Sequence, residues 1–441
     1  MSCSRDRISG LPDEVLGKVL SLVPTKVAAS TSVLSKRWMN LLVLVDALNF
    51  EESMGVYPNE EEAESGGSSD RFIDFLDKTL ALLSNSPIKK FSLSHRGRFS
   101  SFPGVYGWVW TAMEERGLLE LHLECTTNEV NLERKLLTSK TLVKLTLSRE
   151  YAFGGLDYNN YRRLIKGCPV LEELFVTDIC ADADDPYPPC CTTSVKSASI
   201  KRLVVSVDMP YGSDKESFEQ FHNQSYVKAP SLVYLDYSSH VFMDYRFVDL
   251  DSLPQVRLNL KLWDRKPNKP IFGDVTKLAV GISNITTLHL SPDSLEAFHF
   301  CCKYMPVFNN LLNLSIERNK KKGWQVMPLL LKSCPHLHTL LLKGLVHRVT
   351  DKCGDACACP PNNKHKNKSK VISCLWTCQV KVLEILEYGG SFQELKQMRH
   401  FLVLTRTTRT TKLKDMDMFE KKTLQENTCL TTKINEEKQS S

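Results

Sequence analysis

The stretch Leu142-Val143-Lys144-Leu145-Thr146-Leu147 decides the fold of this chain. Its apolar residues follow the order apolar-x-x-apolar-x-apolar. Side chains in a strand alternate between its two faces, so Leu145 and Leu147 point to one side and Thr146 points to the other. We therefore predict a short strand with one buried face, and we expect Leu142 to pack from the preceding turn.

The same pattern recurs along most of the chain. The starts of successive copies are 21 to 32 residues apart, except for one separation of 43. Eleven copies at this spacing are typical of a leucine-rich repeat, in which each unit buries its apolar row against its neighbours. Between strands, segments 161–169 and 328–335 have helical patterns that end before proline. The other ten copies begin at Ile88, Leu118, Leu171, Ile200, Leu232, Leu253, Ile285, Leu311, Leu337 and Val380.

The first fifty residues have a helical pattern instead. Leu11-Pro12-Asp13-Glu14 suits a helix start, because the missing N–H of Pro12 costs nothing there and the two acids favour the positive end of the helix dipole. Pro24 ends this helix, and we expect Thr25 and Ser35 to cap two further short helices. A unit of this size buries too little surface to be very stable alone, so we expect it to gain stability from a partner.

Residues 8–16 and 24–38 resemble the F-box of the plant F-box/FBD/leucine-rich-repeat protein family of SCF-type E3 ubiquitin ligase substrate adaptors. The resemblance implies docking onto a Skp-family adaptor and, through it, onto a cullin and a RING protein. The family's usual Lys-Arg-Trp-Arg is Lys36-Arg37-Trp38-Met39 here, so we expect one basic contact to be missing. Some residues of the motif must instead form the core of the helical unit. The resemblance assigns adaptor binding or its support to Leu11, Pro12, Leu16, Val19, Leu20, Leu22, Val27, Ser32, Leu34, Arg37 and Trp38.

A second resemblance to the same family lies near the C-terminus. Residues 380–385 and 394–401 resemble the start of its FBD module. In the family the module continues with a hydrophobic strand, whereas residues 404–412 are polar and Thr-rich here. We therefore expect the module to be truncated or altered and the residues after it to lack a stable fold. An altered reading frame or a misjoined exon would explain the departure.

The predicted fold class is an α/β repeat. A three-helix F-box precedes an irregular leucine-rich-repeat solenoid, whose curved parallel sheet carries helices on its convex side. Between Glu51 and Asp70 the chain has seven acidic residues and no Lys or Arg, which predicts an exposed connector. The predicted domains are the F-box (5–50), an acidic linker (51–70), the solenoid (71–345), a Cys/Lys-rich insertion loop (346–375), a partial FBD-like module (376–404) and a disordered tail (405–441).

The net charge of +6 does not predict a nucleic-acid partner. Residues 361–441 hold 15 Lys+Arg and 9 Asp+Glu, so they carry the whole excess and residues 1–360 are balanced. A fold that binds phosphate is expected to carry its own basic face. The chain also has neither an unbroken apolar run of membrane-spanning length nor an apolar signal core after Met1. We expect no nucleic-acid or membrane partner, and a cytoplasmic and/or nuclear location.

The 15 cysteines are scattered, which is typical of free thiols in a reducing compartment. One cluster could supply four zinc ligands. Its Cys-x3-Cys-x-Cys spacing differs from the paired spacing of zinc sites, and a Lys- and Asn-rich loop flanks it. We therefore predict no metal and no cofactor. The cluster consists of Cys353, Cys357, Cys359, His365, Cys374 and Cys378.

No catalytic motif supports an enzyme. The sequence has no Gly-rich phosphate loop, no nucleophile elbow and no His-Glu-x-x-His metal motif. We predict a non-catalytic, substrate-recognition subunit of an SCF-type cullin–RING ubiquitin ligase, which recruits an unknown target protein on its solenoid. Two alternatives stay open. The chain could be a small-molecule-dependent F-box receptor, or a ligase-independent scaffold or nonfunctional truncated family member.

Overall fold

The computed structural model describes the N-terminal helices and most of the repeats. It divides into two compact units, one of Met1–Ser239 with Val248–Ser252 and one of His240–Phe247 with Leu253–Ser441. In the part of the chain that is described, no helix is both long and apolar enough to cross a membrane. The described residues are 8, 10–52, 67–83, 86–95, 104–125, 138–149, 160–179, 194–208, 223–263, 271–348, 357, 380–404 and 410–413.

Three α-helices begin the first unit. They are α1 (Asp13–Leu20), α2 (Thr25–Ser30) and α3 (Lys36–Leu41), with short 3-10 helices at Thr31–Val33 and Leu42–Leu44. Pro12 precedes α1 and two acids occupy its first turn, as the sequence predicts. Ser35 caps α3, because its hydroxyl accepts a hydrogen bond from the backbone N–H of Trp38 at 3.3 Å. The predicted three-helix unit is therefore present.

Strands of the first unit form a parallel sheet. They are β1 (Ala47–Glu51), β2 (Lys90–His95), β3 (Glu120–Cys125), β4 (Lys144–Arg149), β5 (Glu173–Ile179), β6 (Ser194–Lys196), β7 (Arg202–Asp208), β8 (Gln224–Lys228) and β9 (Tyr234–His240). The sheet order is β1-β2-β3-β4-β5-β7-β9, while β6 pairs with β8. Leu121 pairs with Leu145, and Leu145 with Leu174. All three are buried, so matching positions of successive repeats form one apolar row.

Helices connect several strands of the first unit. They are α4 (Gly67–Leu82), α5 (Gly104–Glu114) and α6 (Asn160–Gly167). Each buries apolar side chains, such as Leu76, Val109 and Leu164. Helix α6 ends two residues before Pro169, which agrees with the bias of a residue before proline against the helical conformation.

The second unit repeats the same arrangement. Its strands are β10 (Asp244–Val248), β11 (Gln255–Lys261), β12 (Thr287–Leu290), β13 (Asn313–Glu317), β14 (Thr339–Lys343), β15 (Val382–Leu386) and β16 (Thr410–Leu413). Strands β11 to β16 are parallel neighbours in chain order. Leu288 pairs with Leu314, and Leu314 with Leu340, all buried. The helices are α7 (Thr276–Gly281), α8 (Pro292–Cys301), α9 (Met327–Lys332) and α10 (Phe392–Leu404).

All eleven copies of the repeat pattern contain a strand, from β2 to β15. Helices at 160–167 and 327–332 fill the two segments predicted to be helical. The predicted fold class is therefore confirmed: a helical N-terminal unit precedes a large parallel sheet with helices between its strands.

Three predicted boundaries differ from the structure. Helix α4 begins at Gly67, inside the predicted linker 51–70, because the serines and aspartate after Gly67 favour the first turn of a helix. Strand β1 ends the range assigned to the F-box and pairs with β2. Strand β16 lies in the predicted disordered tail 405–441; β-branched threonines suit a strand, and β16 pairs with β15. The rest of that tail and most of the predicted loop 346–375 lie outside the described residues.

Candidate functional site

The residues assigned to adaptor binding differ in exposure. Leu22 and Leu34 are 86% and 66% exposed, which leaves them free to contact another protein. Leu16 and Leu20 are 0% and 4% exposed. These two side chains form the core of the helical unit and can only support the surface. Leu11, Pro12, Val19 and Val27 are also exposed, and Ser32, Arg37 and Trp38 are half-buried.

Several exposed apolar side chains of the helical unit were not predicted as contacts. Val33 is 85% exposed, next to Leu34. Val15 and Met39 are 41% and 54% exposed. Each of these lies within or between the three helices, where the sequence pattern alone could not separate inward from outward positions. We call Leu11, Val15, Val19, Leu22, Val27, Val33, Leu34 and Met39 together the exposed apolar set.

An exposed apolar set of this size is unusual on a unit that has a core of its own. Soluble proteins expose single apolar side chains routinely, whereas many of them within one small unit indicate a binding surface. The core of the unit is already filled by Leu16, Leu20 and Leu41. The exposed surface of this apolar set is therefore available for a partner.

Arg37 connects α3 to the beginning of α1. Its Nε donates a hydrogen bond to the Asp13 carboxylate at 2.8 Å, and its guanidinium also donates to the backbone carbonyl of Leu11. Arg37 and Asp13 are 39% and 52% exposed as side chains, so solvent screens the ion pair. Arg37 thus positions the two helices, which is consistent with the support that the resemblance assigns to it.

Gly17 allows α1 to approach the 3-10 helix at Leu42–Leu44. A Cβ at Gly17 would lie 2.7 Å from the Cβ of Leu44 and 3.1 Å from its carbonyl oxygen. Real Cβ atoms do not approach other atoms so closely, so the absence of a side chain at Gly17 sets the distance between the two elements. Leu44 itself is 45% exposed, at the edge of this contact.

Hydrogen bonds attach the helical unit to β1. The Ser21 hydroxyl accepts from the backbone N–H of Asp46 at 3.2 Å, and the Thr25 hydroxyl accepts from that of Asn49 at 2.7 Å. The predicted helix cap at Thr25 is wrong, because Pro24 occupies the cap position and the Thr25 hydroxyl is used by β1. Since β1 pairs with β2, the exposed apolar set is held by the same backbone as the first strands of the sheet.

The titratable residues of the described chain differ in their surroundings. No group of three or more His, Cys, Asp or Glu among them is arranged to hold a metal ion. Burial raises the pKa of the Cys168 thiol to about 11, which keeps it protonated and unreactive. Burial lowers the pKa of His122, although Glu124 opposes the shift.

Among the six residues considered as zinc ligands from the sequence, only Cys357 belongs to the described part of the chain. It is disulfide-bonded, so the expectation of free thiols, which rested on the scatter of the cysteines, is wrong at this residue. Its Sγ lies 2.9 Å from Nε2 of buried His347, whose ring stacks on Trp324. Cys168, Cys301, Cys302 and Cys334 are free thiols. The other five candidate zinc ligands lie outside the described residues.

Comparison with known proteins agrees with a helical N-terminal unit followed by repeats. The F-box domain model matches residues 8–46, which contain all three N-terminal helices. The chain is 58% identical to F-box/LRR-repeat protein At1g48400 of Arabidopsis thaliana over 90% of both chains. It is 47% identical to putative F-box protein At1g64540 over 90% of both chains, and 42% identical to F-box/LRR-repeat protein At5g35995 over 93% of both, each from the same plant. The chain belongs to the plant F-box/LRR-repeat protein family.

Proposed function

We propose that this chain is the substrate-recognition subunit of an SCF-type cullin–RING ubiquitin ligase. The F-box docks onto a Skp-type adaptor, and the leucine-rich repeats recruit a target protein. The observation that carries the proposal is the exposed apolar set, which lies within the F-box and presents apolar surface that its buried core does not cover. Members of the F-box/LRR-repeat family are generally non-catalytic adaptors, which agrees with the absence of catalytic motifs in the sequence.

The adaptor contact is expected to be mainly apolar. Complete burial of an exposed leucine side chain contributes roughly 1.5–3 kcal/mol of hydrophobic free energy. Leu22 and Leu34 have the most to gain among the predicted residues, because 86% and 66% of their surface is exposed. Arg37 contributes by holding α1 against α3, since its donors are already used within the chain.

The mechanism is proximity. The adaptor-bound F-box would hold the target near a ubiquitin-conjugating enzyme supplied by the rest of the ligase, which raises the effective concentration of target lysines there. Such a function requires a firm connection between the docking helices and the target-binding repeats. Hydrogen bonds from the backbone N–H groups of Asp46 and Asn49 to the hydroxyls of Ser21 and Thr25 support that connection within the first unit.

Titration of the purified full chain with a recombinant Skp-type adaptor tests the proposal. We expect Leu22→Asp combined with Leu34→Asp to weaken adaptor binding by at least about 100-fold, because each change removes a buried apolar contact and buries a charge. Val307→Asp is the matched control, since Val307 is 53% exposed in the second unit. Lack of adaptor binding by the wild-type chain, or equal weakening by the control, would contradict the proposal.

A further inference from the structure

The outward face of the first-unit sheet carries a row of cations and aromatic rings. The register places Lys144 of β4 opposite Glu173 of β5, Glu173 opposite Arg202 of β7, and Arg202 opposite Tyr234 of β9. Phe175 follows on β5, two residues after Glu173, on the same face. These positions are not adjacent in the sequence, and only the parallel register brings them together.

Arg202 lies between two rings. The guanidinium carbon of Arg202 is 4.0 Å from the ring centroid of Tyr234 and 5.6 Å from that of Phe175. Nζ of Lys144 is 5.2 Å from the Phe175 centroid. Distances of this size give attractive cation–π contacts. A guanidinium stacked on rings keeps its N–H groups in its own plane, directed past the rings.

The neighbouring cations are neutralised, whereas Arg202 is not. Lys144 pairs with Glu173 at 3.2 Å, and Lys201 pairs with Glu172 at 2.7 Å. Within the described part of the chain, no carboxylate lies within ion-pair distance of Arg202 and no side-chain hydrogen bond uses its guanidinium. The cation is therefore half-buried, oriented by two rings and without a carboxylate partner.

We propose that Arg202, held between Phe175 and Tyr234, is the anchor for a carboxylate on an acidic segment of the target protein. The inference rests on the proposed function, because it assigns the target-binding surface of the recruiting subunit. Arg binds carboxylates with two parallel N–H···O bonds, and Arg and Tyr are the residues that dominate many interfaces. The Tyr234 hydroxyl lies 3.5 Å from the Asp236 carboxylate, so we expect the acidic side chain of the target to bind Arg202 away from Asp236.

Selection from a phage-displayed library of random dodecapeptides tests the surface. The bait is the immobilised full chain without adaptor, as wild type, as Arg202→Gln and as Arg257→Gln. Arg257 lies on the second-unit sheet and pairs with Glu317 at 3.1 Å, so its change removes the same charge elsewhere. We expect peptides selected by the wild type and by Arg257→Gln to contain at least twice as many Asp and Glu as those selected by Arg202→Gln.

The peptide that the wild type selects most strongly is then synthesised, and its affinity for the wild type and for each variant is measured. We expect Arg202→Gln to weaken its binding at least tenfold, and Arg202→Lys to weaken it severalfold, because Lys keeps the charge but loses the planar pair of donors. Arg202→Lys keeps the test decisive if Arg202→Gln alters folding. Equal acidic content in all three selections, or equal affinity for wild type and Arg202→Lys, would overturn the assignment.

Two further measurements are DNA binding and adaptor affinity. The first distinguishes recognition of a carboxylate from recognition of phosphate, and the second shows whether the adaptor contact is intact. A twelve-nucleotide single-stranded DNA that binds the wild type and not Arg202→Gln, without acidic peptide selection, would show that the site recognises phosphate and would overturn the proposal. Adaptor affinity is measured on every variant. We expect it unchanged in Arg202→Gln, so a failed adaptor titration contradicts the proposed function while the peptide result still decides the role of Arg202.

Discussion

The surroundings of His122 make the stability of the first unit depend on pH. His122 lies half-buried on the outward face of β3, with its Nε2 3.9 Å from the Glu124 carboxylate. Burial lowers the pKa of His122, and the negative charge of Glu124 raises it in part. The folded state therefore holds the imidazole neutral over a pH range in which the unfolded chain binds a proton.

Because of His122, we expect the chain to lose stability on acidification. The contribution of His122 to the free energy of unfolding should be constant above its unfolded pKa of about 6.5. It should decrease as the pH falls from that value towards the lower pKa of the folded state, and it should be constant again below the folded pKa. His122→Gln removes this part of the dependence. Urea unfolding at pH 7.5 and 5.5 measures it, and we expect a smaller loss of stability on acidification for the variant than for the wild type.

Glu124→Gln is the companion variant, because Glu124 opposes the shift at His122. Its removal should lower the pKa of His122 further, as followed by NMR titration of the imidazole. A higher pKa of His122 in Glu124→Gln would mean that burial is not the main cause of the shift.

The close contact between helix α1 and the 3-10 helix at Leu42–Leu44 depends on the absence of a side chain at Gly17. Gly17→Ala should destabilise the chain by about 1–3 kcal/mol, because its Cβ would lie 2.7 Å from that of Leu44 in a packed contact. The gain in helix propensity from Gly to Ala is at most about 1 kcal/mol and does not offset this strain.

Gly107→Ala is the matched control for that prediction. Gly107 also lies within a helix, α5, but a Cβ there would meet no atom within 4 Å. We expect Gly107→Ala to leave the melting temperature unchanged or to raise it, while Gly17→Ala lowers it. If both variants melt alike, the approach of Leu44 to Gly17 does not constrain the docking helices.

The strands were largely predictable from the sequence because their apolar residues must alternate to fill a shared core. All eleven copies of the pattern contain strands. A twelfth was missed at Val45, Leu48 and Phe50, each 1% exposed, because β1 directly follows the helical motif and was assigned to it. Strand β16 was missed for another reason: its threonines suit a strand but form no apolar row, so the repeat pattern does not include it.

The candidate site was less predictable, because exposure and pairing depend on three-dimensional neighbours. The sequence placed Leu16 and Leu22 in one binding set, although the first is buried and the second is 86% exposed. It assigned Arg37 to adaptor binding or its support, and only the structure shows that its guanidinium contacts Asp13 and Leu11. The repeat spacing aligns the row through Arg202, since its members lie two residues after the starts of four copies. It could not show which of these cations has an ion-pair partner.

For the whole molecule, the two proposed surfaces make separable contributions to one reaction. The exposed apolar set lies on the helices before β1, and the Arg202 row lies on β4 to β9 of the same unit. Under the proposed function, ubiquitin transfer would require both contacts at once, whereas each binding event would require only one. Variants at either surface should therefore slow the overall reaction while leaving the other binding event intact.

A reconstituted ligase tests this last prediction. The substrate is a lysine-containing carrier protein fused to the selected acidic peptide, present below saturation. Leu22→Asp combined with Leu34→Asp should reduce the rate of ubiquitin transfer at least tenfold while keeping peptide affinity, because it removes only the adaptor contact. Arg202→Gln should reduce the rate to a similar extent while keeping adaptor affinity, because its cation lies on the sheet and not on the F-box helices. An undiminished rate in either variant would show that the corresponding surface does not take part in presenting the substrate.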